Sequence, residues 1–378
     1  MSLPHKKNIC NYKTKVLFTP GPINNYYEVA KVLSDVSIHH RSEEFKSYFI
    51  ETGELIKKHF GTTDAMPLFL TVSASGAMEA SIVNLVEPGN KVLLVECGFF
   101  GKRFKDILLR LVGKDYLDVI HYENGQAFNP EDIKEKLKKC HYKAIFMTHH
   151  ETSTGVLNNM NVISKLIKEY AKDSLFILDT VSSFLHEEIH FDKWELDVAM
   201  ATSGKGFCTL PGLSCILLSK RAQSVAKNNK NFKFYFDFAK YIDFHNEGSS
   251  TPFTPATTTL MSLYASLKII EQKGIETIRS EKKKIFNFMK KSLIKLGFAS
   301  AVQEENETHG LLVLAVPESV DAFELRKKVD EKYNLYFELG IGSQRKTHIR
   351  IGIPNTINMF KAKKLVYALK EVLAHWKS

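Results

Sequence analysis

The stretch DVAMATSGKGFCTLPG, Asp197–Gly212, decides how this chain is read. It opens as an apolar strand, Asp197–Thr202, and then breaks into small residues around one lysine, Lys205. Gly204, Gly206, Pro211 and Gly212 surround that lysine. Glycine lets a backbone come close to something, and proline fixes a turn. A lysine in an ordinary surface loop is simply solvated and needs no such setting, so a ligand is expected here.

Working outward, similar short apolar runs occur at Lys91–Glu96 (KVLLVE), Ala144–His149 (AIFMTH), Leu175–Thr180 (LFILDT) and Gly212–Lys220 (GLSCILLSK). Between them, PEDIKEKLKK (Pro130–Lys139) and NVISKLIKEYAK (Asn161–Lys172) place apolar residues three and four apart, as amphipathic helices do. Strands apolar on both faces and alternating with helices make an α/β fold, with a mainly parallel sheet between helices.

From about Thr257 the pattern changes. Two long helical stretches, Thr257–Gly274 and Ile278–Gly297, lead to GLLVLAV (Gly310–Val316), a helix near Asp321–Lys332, the strand THIRIGI (Thr347–Ile353) and a closing helix, Met359–Trp376. A chain of 378 residues exceeds what one hydrophobic core usually organises. The expected division is an N-terminal arm (1–20), a large domain (21–274) and a smaller C-terminal α/β domain (275–378).

Composition narrows the function. No apolar run reaches the ~18 residues of a membrane span. The start, MSLPHKKNICNYKTK, lacks a signal peptide's apolar centre, so a cytoplasmic location is expected. Five cysteines, none in a CxxC pair, fit a reducing compartment better than a disulfide framework. The net charge of +10 is spread over pairs such as Lys57-Lys58 and Lys138-Lys139, with Lys282–Lys284 as a triplet. These read as solvated helix faces, and no nucleic-acid partner is expected. His149 and His150 are neighbours whose side chains point to opposite faces of a strand, a poor chelating pair, and no metal is expected.

Open parallel sheets bind ligands beyond the carboxyl ends of their strands. Asp179 stands at one such end, HETSTG (His150–Gly155) follows another, and Lys205 follows a third. Asp179 alone reads equally as a helix cap or an ion-pair partner. Pyridoxal 5'-phosphate accounts for both residues, since its aldehyde condenses with a lysine amine and its ring nitrogen needs a carboxylate to stay protonated. Partial desolvation would free the amine for that attack. Ser73 and Ser75 precede an apolar-periodic helix with Gly76 in its first turn, and a helix N-terminus suits a phosphate. Ordinary serine capping reads the same way. No GxGxxG dinucleotide fingerprint is present there.

Taken together, FTPGP (Phe18–Pro22), HHRSEEF (His39–Phe45), SASGAMEA (Ser73–Ala80), GFFGKR (Gly98–Arg103), HETSTGVL (His150–Leu157), LDTVSS (Leu178–Ser183), SGKG with the later PG, TPFTPATT (Thr251–Thr258) and RIG (Arg350–Gly352) resemble the class V aminotransferases. These are fold-type I pyridoxal phosphate enzymes with a seven-stranded sheet, and the branch is that of the serine–pyruvate, alanine–glyoxylate and 2-aminoethylphosphonate–pyruvate aminotransferases. The resemblance implies that Lys205 is the Schiff-base lysine and proton shuttle and that Asp179 holds the pyridine nitrogen. Val181 and Phe100 would pack on the two ring faces, and Thr152 would stand near the ring's phenolic oxygen. Ser73, Ala74 and Ser75 would cradle the phosphate. Thr257 would reach it from a partner subunit, which implies a homodimer with shared active sites.

Arg350 shares one strand face with His348 and Gly352, while Ile349, Ile351 and Ile353 take the other. Pattern alone makes it a solvent-facing arginine. The resemblance makes it the residue that grips the substrate carboxylate, which a guanidinium fork fits with two hydrogen bonds.

Three departures bear on cofactor affinity: Gly204 where relatives often carry glutamine or asparagine, Ala74 in place of a glycine, and Leu210 where a second proline is common. The implied activity is ping-pong transfer of an amino group from a small donor of the alanine or serine type to a 2-oxo acid such as pyruvate or glyoxylate. A 2-aminoethylphosphonate donor is the alternative. A cysteine desulfurase needs a nucleophilic cysteine on a late loop, and none follows Cys215. The alternative of another class is a non-enzymatic cofactor-binding regulator; such proteins usually carry an added DNA-binding domain, which residues 1–20 are not expected to hold.

Overall fold

The computed structural model describes residues 15–35, 38–248 and 250–376. Cys10 and most of the expected arm, residues 1–14, lie outside them. The first described strand is β1 (Val16–Phe18). Next come β2 (Met66–Leu70), β3 (Val92–Glu96), β4 (Leu117–His121), β5 (Ala144–Thr148), the hairpin β6 (His150–Glu151) and β7 (Val156–Leu157), β8 (Leu175–Asp179), β9 (Val198–Thr202) and β10 (Ser214–Leu218). The last are β11 (Ala299–Ser300), β12 (Leu311–Ala315), β13 (Leu335–Leu339) and β14 (His348–Gly352).

The larger sheet has seven strands in the order β2-β10-β9-β8-β5-β3-β4. β4, β3, β5, β8 and β9 run parallel, and β10 is antiparallel to both β9 and β2. The reversal has a simple cause. A parallel return needs a crossover of about a dozen residues or more, usually helical. The glycine-rich segment between Thr202 and Ser214 instead turns the chain back, pairing Ser214 with Thr202. The loop that carries Lys205 is therefore a reversal loop at a strand's carboxyl end.

Both faces of this sheet are covered, as the unbroken apolar runs require. Leu93, Val95, Ile145, Met147 and Leu178 point into one core, while Val92, Leu94, Phe146 and Ile177 point into the other. Each is essentially fully buried and contributes about 1.5–3 kcal/mol of transfer free energy.

The second sheet has the order β1-β13-β14-β12-β11. Here β1, which lies inside the expected arm, runs parallel to β13. The sheet packs Phe18, Leu312, Leu314, Ile349 and Ile351 into its own core. The helix Ile275–Ile294 serves both cores, with Ile278 in one and Ile285, Phe286 and Met289 in the other.

One expectation about charge needs correction. Lys58 pairs with Glu271, and Lys138 and Lys139 with Glu135, as solvated helix faces do. Lys282 of the triplet, however, is buried and touches His186 Nδ1. The spacing 278, 282, 285, 289 explains this, because it places Lys282 on the inward stripe of its helix. Among the described residues, no helix is long and apolar enough to cross a membrane.

The segment after β1 is clamped against β14. A Cβ on Gly352 would lie 2.2 Å from the Thr19 carbonyl oxygen and 2.8 Å from the Pro20 nitrogen. Gly352→Ala should therefore overpack the contact and cost about 1–3 kcal/mol. A lower Tm, together with faster limited proteolysis near Pro20, is the expected result. An unchanged Tm would mean that the segment yields freely.

Candidate active site

At the carboxyl ends of β5, β8 and β9 the side chains singled out in the sequence come into range of one another. Lys205 is half-buried, and its Nζ donates a 2.7 Å hydrogen bond to the Pro20 carbonyl. Gly21 lies directly over it: with φ +134°, a Cβ there would meet Lys205 Cδ, Cε and Nζ at 2.7–2.9 Å. Only glycine fits that backbone and that gap. Desolvation, and then the nearby Arg350 charge, lower the Lys205 amine to about 8. A substantial neutral fraction is thus present near physiological pH.

Asp179 ends β8 and is buried, with Oδ1 accepting from the Val181 amide at 2.9 Å. Burial raises its carboxyl to about 6, against the pull of that hydrogen bond and of Lys205 and Arg103. Such a carboxyl gains strongly from a cationic hydrogen-bond donor placed beside it. Val181, two residues on, packs into the core on that side of the sheet.

Phe100 lies in the first turn of the helix Phe99–Leu111, its ring centroid 6.0 Å from Lys205 Nζ. Thr152 follows β6 and is buried, and its Oγ1 has no hydrogen-bond partner. His150 donates from Nδ1 to the Ser182 carbonyl at 3.2 Å, which leaves Nε2 buried and unpartnered. Burial depresses this imidazole to about 4, so it is neutral.

Glu151 was not singled out in the sequence, yet it organises this wall. Its carboxylate is fully buried and accepts from Phe100 N (2.9 Å), Gly101 N (3.1 Å), Ser153 N (3.0 Å) and Ser153 Oγ (2.6 Å). Ser153 Oγ in turn accepts from Phe99 N at 2.9 Å. The open N–H groups at the start of the Phe100 helix are thus satisfied from another strand end. Gly98 permits this, since a Cβ there would lie 2.5 Å from Ser153 Oγ and 2.6 Å from Glu151 Cγ. The sequence signal was a glutamate among hydroxyl residues in HETSTG.

The helix Ala74–Leu85 begins nearby. Ser73 is its N-cap residue but makes no side-chain capping bond, so the ordinary capping role is not the one it plays. Ala74 and Ser75 form the first turn, and Ser75 Oγ accepts from Arg103 Nη1 at 2.7 Å. The departure at Gly204 has a local reason, because a Cβ there would lie 2.9 Å from Pro211 Cβ. Arg350 is buried, contrary to the solvent-facing reading of its strand pattern. Its Nε donates to the Leu339 carbonyl at 2.8 Å, and its Nη1 donates to the Thr152 carbonyl at 3.0 Å. Thr257 opens the helix Thr257–Lys273 and is half-buried.

The crevice thus combines an amine of lowered basicity, a buried carboxyl, an unsatisfied hydroxyl, an aromatic wall and a buried guanidinium. Such a set can bind a polar aromatic ring, hold a carboxylate and pass a proton at the lysine nitrogen.

Comparison with known proteins identifies the lineage. The family model described as aminotransferase class-V matches residues 21–357. An uncharacterised aminotransferase of Methanocaldococcus jannaschii is 31% identical, over 85% of this chain and 83% of its own. The serine–glyoxylate aminotransferase of Arabidopsis thaliana is 28% identical, over 90% and 86%. The crystal structure of an alanine–glyoxylate aminotransferase from Nostoc sp. superposes with a TM-score of 0.91 at 24% identity, covering 97% of each chain, and shows the shared fold. The chain is an aminotransferase and belongs to the class V family.

Proposed function

We propose that this aminotransferase uses pyridoxal 5'-phosphate to move an amino group from a small donor of the serine or alanine type to glyoxylate or pyruvate, by ping-pong turnover. The observation that carries the reading is the pairing of an amine lowered to about 8 with a buried carboxyl raised to about 6. The lowered amine suits attack on an aldehyde and proton transfer, and the buried carboxyl, costly to ionise by itself, would become a carboxylate once a protonated ring nitrogen is its partner. The unpartnered Thr152 Oγ1 also fits the group, since it offers a hydroxyl where a phenolic oxygen would lie. The names of the Arabidopsis and Nostoc relatives support serine, alanine and glyoxylate as substrates.

When bound, the cofactor supplies an electron sink that acidifies the Cα–H bond of the amino donor. Asp179 holds the ring nitrogen protonated, and Val181 and Phe100 hold the ring between them. Thr152 donates to the phenolic oxygen. Ser73, Ala74 and Ser75 present hydroxyl and backbone N–H groups to the phosphate at the helix N-terminus. Arg350 anchors the substrate carboxylate and so fixes the Cα–H bond relative to Lys205. The Lys205 nitrogen, as a neutral amine, takes the Cα proton and returns it on the other side of the transfer.

The assembly we propose is a homodimer in which Thr257 of each chain reaches the phosphate held by the other. The division into an arm (1–20), a large domain (21–274) and a small domain (275–378) belongs to the same reading, as does a cytoplasmic location. The free thiols of Cys97, Cys140, Cys208 and Cys215 suit that reducing compartment.

The function is tested by presenting the cofactor-loaded protein with single amino donors and following loss of its visible absorption band. Serine and alanine should bleach the band, and glyoxylate or pyruvate should restore it. Lys205→Ala should do neither. A band that responds to 2-aminoethylphosphonate and to neither amino acid would replace the donor assignment.

The lowered basicity of Lys205 makes a second prediction. In cofactor-free protein, labelling of Lys205 by trinitrobenzenesulfonate requires the neutral amine. The rate should rise with pH through a midpoint near 8. Exposed lysines follow their ordinary value of ~10.4. A midpoint at that ordinary value, read by peptide mapping, would remove the desolvation argument.

The shared site predicts complementation. A Lys205→Ala chain mixed with a Thr257→Ala chain should form heterodimers with one doubly altered site and one intact site, and so regain part of the wild-type activity. Verified heterodimers without recovered activity would place Thr257 in its own chain's site.

A further inference from the structure

Arg103 is a half-buried cation that no role has yet absorbed. It lies one turn beyond Phe100 on the same helix, and its guanidinium carbon is 5.1 Å from the ring centroids of both Phe99 and Phe100. Those two rings meet edge to face at 90°, so they form a corner that holds the guanidinium in place. From that corner Nη1 donates to Ser75 Oγ at 2.7 Å. Among the described residues Arg103 forms no ion pair with a carboxylate. Other arginines of the chain do: Arg221 is bound to Asp197, and Arg279 to Glu276.

A full positive charge, held in no salt bridge among the described residues, is therefore aimed at the first turn of the helix Ala74–Leu85. Positive helix dipole and free N–H groups gather at that same turn. Ser73 makes no capping bond that would satisfy them. The turn thus offers unsatisfied backbone donors beside a cation that is held in no salt bridge among the described residues.

We propose that Arg103 is a phosphate-binding residue of this chain, with its guanidinium steered by Ser75 and the Phe99–Phe100 corner toward the cofactor's phosphate dianion. The proposal rests on the pyridoxal phosphate reading of the site. It differs from a purely mechanical role, in which Arg103 only braces Phe100 against the ring. A guanidinium suits the task because it stays charged and offers several N–H donors from a rigid plane.

The test compares two ligands that differ only in the phosphate. Cofactor-free protein is titrated with pyridoxal phosphate and with pyridoxal, following the visible band, and borohydride reduction with peptide mapping establishes attachment at Lys205. Arg103→Met should weaken pyridoxal phosphate roughly ten- to hundredfold, the worth of a charge-assisted hydrogen bond, and leave pyridoxal within about twofold. Arg103→Lys should recover part of the loss, and Ser75→Ala should lose less than Arg103→Met. Should Arg103→Met fail to melt cooperatively, the wild-type protein and the lysine variant carry the test. Inorganic phosphate should compete with pyridoxal phosphate for wild type and compete less well in Arg103→Lys.

Equal weakening of both ligands would overturn the proposal in favour of the bracing role, and so would unchanged affinity for both. Wild-type protein that attaches neither ligand at Lys205 would overturn the cofactor reading and this proposal with it. Attachment in wild type with no phosphate dependence on Arg103 would overturn this proposal alone.

Discussion

The hydrogen bond from Lys205 to the Pro20 carbonyl joins the parts of this molecule that have to agree. One end belongs to the reversal loop between β9 and β10, the other to the segment that follows β1. That segment is held in turn by Gly352, two residues beyond Arg350 on β14. The lysine, the covering segment and the arginine strand are therefore spaced by direct contact, and small residues at 21 and 352 make the contact possible. A side chain at either position would push apart the lysine loop, the covering segment and the arginine strand.

Around this contact the charges are arranged as an incomplete set. Lys205, Arg350 and Arg103 bring positive charge, and Asp179 and Glu151 bring carboxyls whose pKa burial raises. Glu151 is fully engaged by backbone and Ser153 donors, so it serves the protein's own geometry. Asp179 keeps capacity for a further donor, and Arg350 is bonded only to carbonyl oxygens. Burying such groups without full compensation costs stability in the empty protein. A ligand carrying a ring cation, a phosphate and a carboxylate-bearing partner would recover that cost on binding.

Much of this was legible in the sequence. The strands that end at Asp179 and before Lys205 are short apolar runs, and the rule that ligands sit at carboxyl ends located both residues. The turn at Ser73–Ser75 was visible as a helix start, although capping and anion binding look alike until the side-chain bonds are known. Other features were hidden for physical reasons. Arg350 has the alternating pattern of a half-exposed strand, and only tertiary packing buries it. Glu151 acts on amides some fifty residues earlier in the chain, a relation no local pattern carries. Lys282 sits in a run of three lysines, and a helical phase set by distant cores turned one of them inward. β1 is three residues long, too short to show a period.

The pairing of β1 with β13 also orders events during synthesis. Val16 faces Leu335, so β1 finds this neighbour only after the long stretch of chain between them has been made. Contacts between residues so far apart close large loops and form slowly. The larger sheet, whose strands β2 to β10 lie between residues 66 and 218, can gather its core well before then. Because the carbonyl that meets Lys205 belongs to the segment anchored by β1, the cover of the lysine loop depends on a pairing that closes late. The finishing of the site is therefore tied to a long-range step of folding.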